Sequence, residues 1–170
     1  MNIICGWHIA NSILIKSFND KIYITPLKLN CLAYLLYSEC LYLSGESLFS
    51  EKFIKTEEGP ILLSNHYKFS SYGDKVIKKY ATDAKGKVTY VESKFFDECL
   101  NYIWEKYKNK NEYDILSYIE DGNEYSKKNN KEQIDDIDIL KDIISIKEEK
   151  LNDAKSYIKK LTPLKNNNNR

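Results

Sequence analysis

Arginine is all but missing from this chain: Arg170, the last residue, is the only one, and every other basic side chain is lysine. Bidentate guanidinium recognition of phosphate or carboxylate is thereby removed from the body of the sequence. Histidine is nearly as scarce, with His8 and His66 on separate segments, and no HExxH, His-x-Cys or Cys-x-x-Cys spacing marks a zinc site. The six glycines are scattered; they form neither a GxxxxGK phosphate loop nor GxGxxG, and the GxSxG elbow is missing as well. No run approaches the roughly 20 apolar residues of a membrane span. Net charge is only +1, so no molecule-wide field attracts nucleic acid.

What remains is a globular composition. Of the 170 residues 42% are hydrophobic and 30% charged, which suits one domain with a real core. The four cysteines (Cys5, Cys31, Cys40 and Cys99) lie far apart in apolar surroundings and read as buried free thiols of a reducing, cytoplasmic compartment. The N-terminal segment lacks a basic n-region and is broken by Trp7-His8 and Asn11-Ser12, so it reads as a helix rather than a signal peptide. Neighbouring acids (Glu57-Glu58, Glu120-Asp121, Asp135-Asp136) point in different directions along a chain and make poor acid/base pairs. A pair of His66 with one of the cysteines, built by folding, stays open at this level. Neither enzyme activity, cofactor nor metal is expected.

Periodicity predicts a mainly α, compact helical domain around a buried central helix, with a small β element. Ile3 to Phe18 has helical apolar spacing. Thr25 is a good N-cap, Pro26 fits the first helical position, and Gly45 is a natural stop, giving a helix over 26–44. Its residues are apolar on nearly every side, as in a helix enclosed by others. Residues 48–56 read as one or two short extended pieces, closed by the Glu-Glu-Gly-Pro turn, with a short helix after Pro60. Lys87 to Val91 is β-branched and aromatic and reads as a further strand. Ser93 caps a helix to about Tyr107, Tyr113 to Ile119 is another short helix, and Asp121 to Lys131 reads as a loop.

The last helix is different. Ile137, Leu140, Ile144, Leu151, Ala154, Ile158 and Leu161 fall on a and d positions of a seven-residue repeat, interrupted at Lys147. Two readings stand: an amphipathic helix packed on its own domain, or one whose outer half projects to a partner or to a second copy as a homodimer. The expected organisation is therefore a helical domain over 1–130, this helix over 131–164, and a disordered tail over 165–170. Lys75, Lys78, Lys79, Lys85 and Lys87, interleaved with Tyr72, Tyr80 and Tyr90, form the densest basic cluster. The tyrosines read as buried rings with surface hydroxyls, so nucleic acid is not the expected partner.

One ordered set of residues resembles a known family. Ala10-Asn11…Leu14, Thr25-Pro26-Leu27-Lys28-Leu29 and Leu32-Ala33-Tyr34 are followed by Gly45-Glu46-Ser47-Leu48-Phe49, Phe53, Gly59-Pro60-Ile61 and Tyr72-Gly73. This order, with Leu100…Ile103-Trp104…Tyr107 and Leu116 after it, is similar to the Panacea domain family of phage-associated, SocA-like antitoxins. The resemblance implies a non-catalytic helical domain that neutralises a toxin by direct contact, in some members as a proteolytic adaptor. Inhibition of a host defence protein by a phage or mobile-element product is the alternative, and a nucleic-acid-binding regulator is a second one. Candidate partner-binding residues are Glu57, Glu58, Gly59 and Pro60 in the turn and Ile144, Leu151 and Ile158 on the last helix.

Overall fold

A computed structural model describes residues 4–161. Helix α1 (Gly6–Asp20) precedes α2 (Pro26–Ser44), and a hairpin of β1 (Phe53–Thr56) and β2 (Gly59–Ile61) follows. Next come α3 (Leu63–Phe69) with a 3₁₀ turn at Ser70–Tyr72, α4 (Lys94–Tyr107), α5 (Glu112–Glu120) and α6 (Asn123–Lys127). A two-residue strand, β3 (Gln133–Ile134), leads into α7 (Asp136–Leu161). The protein is mainly α with one small antiparallel sheet of order β2-β1-β3. The expected tail lies outside the described residues, as do positions 162–164.

Helix α2 is the core, as its all-round apolarity predicts. Leu29, Cys31, Leu32, Ala33, Leu36, Tyr37 and Cys40 are each no more than 1% exposed. Thr25 Oγ1 accepts from the Lys28 N–H at 3.2 Å and Gly45 closes the helix at φ +71°. Both bounds coincide with those read from the sequence. Around α2 pack α1, α4, α5, the sheet and the first half of α7. Tyr34 and Tyr37 meet Phe53 edge-on, with centroids 5.2 and 5.4 Å apart, which joins helix to sheet.

Two expectations are corrected. Lys87 to Val91 is not a strand. Its ladder partners are replaced by side chains of α1: Asn11 Nδ2 donates to the Thr89 carbonyl at 2.8 Å, and Ser12 Oγ accepts from the Val91 N–H at 2.9 Å. Within the expected loop, α6 forms because Asp142 of α7 accepts from the Glu124 and Tyr125 N–H groups at 2.8 and 2.9 Å. This is an N-cap supplied from elsewhere in the chain, which local sequence does not announce. Of the two readings of the last helix, its first part follows the packed one: Ile134 and Ile139, each 1% exposed, belong to the same core as α2.

Candidate functional site

The Thr25-Pro26-Leu27-Lys28-Leu29 run is a joint. Thr25 caps α2 and donates its hydroxyl proton to Glu112, in the first turn of α5, through a short hydrogen bond. Lys28 is buried, and its Nζ donates to the carbonyls of Lys108 and Lys110 at 2.7 and 2.8 Å, just past the end of α4. Burial lowers the pKa of Lys28 and the nearby Glu112 partly opposes this. Leu29 enters the core. The motif therefore sets α5 against α2, a role that its spacing alone does not reveal.

The same joint forms one wall of a cleft of about 760 Å³. Thr25, Pro26, Leu27 and Asn30 face Glu57, Glu58 and Ile61 of the hairpin, His66 of α3, Gly73 and Asp74, and Glu112, Tyr113, Leu116 and Glu120 of α5. Residues far apart in the sequence resemblance thus meet around one acidic depression. Glu57 and Glu58 are exposed at its rim, where Glu57 Oε1 accepts from Asn130 Nδ2 at 3.3 Å. Gly59 and Pro60, expected beside them as contact residues, are buried. Gly59 sits at φ +104°, and a Cβ there would lie 2.6 Å from Leu116 Cδ1, so the turn itself calls for glycine.

The second surface is α7. Its first half is fastened to the domain through Ile139, Ile143 and Ile146, with Leu140 of the repeat packed against the core beside them. Lys147 Nζ pairs with Glu39 at 3.0 Å, Lys128 with Asp138 at 2.9 Å and Lys52 with Asp136 at 3.4 Å. Tyr37 Oη donates to Asp136 Oδ1 at 2.8 Å, and Ser47 makes a short hydrogen bond to Oδ2. With the inward face so occupied, the rest of the seven-residue repeat turns outward: Ile137 is 61% exposed, Ile144 40%, Leu151 54%, Ile158 60% and Leu161 62%. Residues 148–161 are all exposed, a segment of roughly 20 Å at 1.5 Å per residue. The repeat was legible in the sequence; which face packs at home was not.

Other candidates disperse. Tyr72 and Tyr80 pack against the core, and Phe18 meets Tyr80 at 4.8 Å, so the lysine-rich segment presents no row of stacking rings. Cys31, Cys40 and Cys99 are buried; burial pushes the Cys31 thiol up to about 12 and raises Cys40 and Cys99 too, which keeps them protonated at neutral pH. Among the described residues no group of three His, Cys, Asp or Glu side chains is placed to hold a metal, and no helix is long and apolar enough to cross a membrane. The chain matches no family model, no curated protein and no solved structure.

Proposed function

We propose that this protein is a non-catalytic, antitoxin-like binding domain that neutralises a toxin by covering its active or target-binding surface. The outer half of α7 is its docking element. The observation that carries this reading is the outward a/d stripe, exposed on a helix whose opposite face is already fastened to the domain. A helical segment of this length is marginal in water unless its apolar face is covered. Lys150, Lys155, Lys159 and Lys160 stand against Glu148, Glu149 and Asp153 on the same segment. With charge nearly balanced, apolar contact rather than a strong field selects the partner, which fits a toxin groove or helix with its own apolar strip. Two further features agree: the sequence resembles antitoxin proteins, and the buried thiols are held in their unreactive form.

The test has two stages. Affinity purification from the native host with mass spectrometry identifies the partner; a toxin from a neighbouring gene supports neutralisation, and a host defence component replaces it with the inhibitor reading. Leu151→Asp combined with Ile158→Asp should then weaken the complex at least a hundredfold without lowering the melting temperature. Unchanged affinity overturns α7 as the docking element. Charge reversal at Glu57 and Glu58 should leave affinity within about twofold, and a tenfold loss there moves the contact to the acidic cleft.

A further inference from the structure

Between α2, α4, α5 and the fastened half of α7 lies a cavity of about 90 Å³. Its floor is aliphatic, built from Leu35, Ile103, Ile119, Ile139, Ile143 and Ile146. Its mouth is cationic, with Lys106, Lys147 and Lys150 set among Tyr102, Tyr107 and Tyr118. An apolar floor under converging polar groups is the usual make-up of a small-molecule site.

The three lysines are not equivalent. Lys147 is answered by the Glu39 carboxylate, 3.0 Å away and buried on α2. The other carboxylate at the cavity, Asp142, is occupied by the backbone of α6. Lys106 Nζ lies 5.5 and 5.3 Å from the centroids of the Tyr102 and Tyr107 rings and 3.4 Å from the Tyr102 hydroxyl. Among the described residues neither Lys106 nor Lys150 has a carboxylate within ion-pair distance. Instead both line the same mouth, and the Lys106 ammonium, followed by partial burial, holds the Lys150 pKa below the ordinary lysine value. Two like charges at the rim of an apolar hole are relieved by an anion between them.

We propose that this cavity binds a short branched aliphatic carboxylate, with its alkyl group on the isoleucine floor and its carboxylate between Lys106 and Lys150. Size supports the choice. A hole of about 90 Å³ is smaller than an apolar cavity of roughly 150 Å³ that takes up benzene, so a short branched chain enters and its head group is left at the mouth. The same chemistry is offered by a free acid and by a C-terminal leucine of another polypeptide.

The experiment is a titration of the full chain followed by amide chemical shifts at Tyr102, Ile119 and Ile143. The probes are 4-methylpentanoate, N-acetylleucine and the neutral 4-methylpentanamide. Both acids should shift these resonances and bind at least tenfold more tightly than the amide. The combined Lys106→Gln and Lys150→Gln variant should lose that tenfold advantage while its remaining spectrum stays unchanged, since both side chains sit at the mouth. Tighter binding of the free acid assigns the small-molecule source, and tighter binding of N-acetylleucine assigns a chain terminus. The proposal is overturned if neither acid shifts these amides at 10 mM (a concentration on the order of a weak fragment's Kd), if the amide binds as well as the acids, or if the lysine variant binds unchanged.

Discussion

The side-chain amide of Asn11 exchanges two hydrogen bonds with the backbone of Ala81: Nδ2 donates to its carbonyl at 2.9 Å and Oδ1 accepts from its N–H at 2.8 Å. A side chain thus stands in for a neighbouring strand. The second amide proton goes to Thr89, so one fully buried residue of α1 holds both ends of an irregular stretch on the helical core. Asn11→Ala would leave three backbone groups short of a partner. A loss of about 2–5 kcal/mol of unfolding free energy is expected in urea titrations. A loss below about 1 kcal/mol would show that water replaces the amide at no great cost, and that the clamp is incidental.

Legibility followed the range of the interactions. The bounds of α2 were readable because a cap, a proline and a stop glycine act within one helical turn of the residues they govern. The strand expected over Lys87 to Val91 failed for the opposite reason. β-branched composition favours extended backbone, but what pairs with that backbone is Asn11 and Ser12, more than seventy positions away. The same holds for Asp142, which caps α6 from another helix, and for Glu39, whose carboxylate fixes which side of α7 faces inward. The acidic cleft needed the fold itself, since its walls come from both ends of α2's neighbourhood.

Gly59 is required by the backbone of the hairpin. At φ +104° any L-residue is strained, and the added methyl would meet the tip of Leu116, which can rotate away. Backbone strain therefore dominates, and Gly59→Ala should destabilise the protein by about 1–3 kcal/mol. Thermal melts check this; a neutral substitution would mean that the Glu57-Glu58 turn relaxes to another geometry.

Stability should also fall on mild acidification through His8. Its Nδ1 accepts from the Cys5 N–H at 3.2 Å in the first turn of α1, and burial lowers its pKa from the ordinary 6.5. The sign follows from linkage. The unfolded chain takes up this proton more readily than the folded one, so the contribution is whole above pH 6.5. It is lost as pH falls from there to the folded pKa. The urea midpoint should be lower at pH 5.5 than at pH 7.5, and His8→Gln, which keeps an acceptor but does not titrate, should flatten the difference. An equal drop in His8→Gln would assign the effect to other groups.

Where the chain is cut on α7 separates folding from binding. A cut after Asn130 removes Ile134 and Ile139 from the core and takes Asp142 away from the start of α6. More than about 4 kcal/mol should go with them, leaving no cooperative melt. A cut after Lys150 keeps Asp136, Asp138, Asp142 and Lys147 with their partners and, among the described residues, deletes only exposed ones. That chain should melt within a few degrees of the full protein and yet fail to hold the partner, because Leu151, Ile158 and Leu161 are gone. Calorimetry and binding measured on this one chain give two independent readings. If it melts normally and still binds, the contact lies elsewhere, and the acidic cleft is next; if it unfolds, the outer turns of α7 are part of the fold.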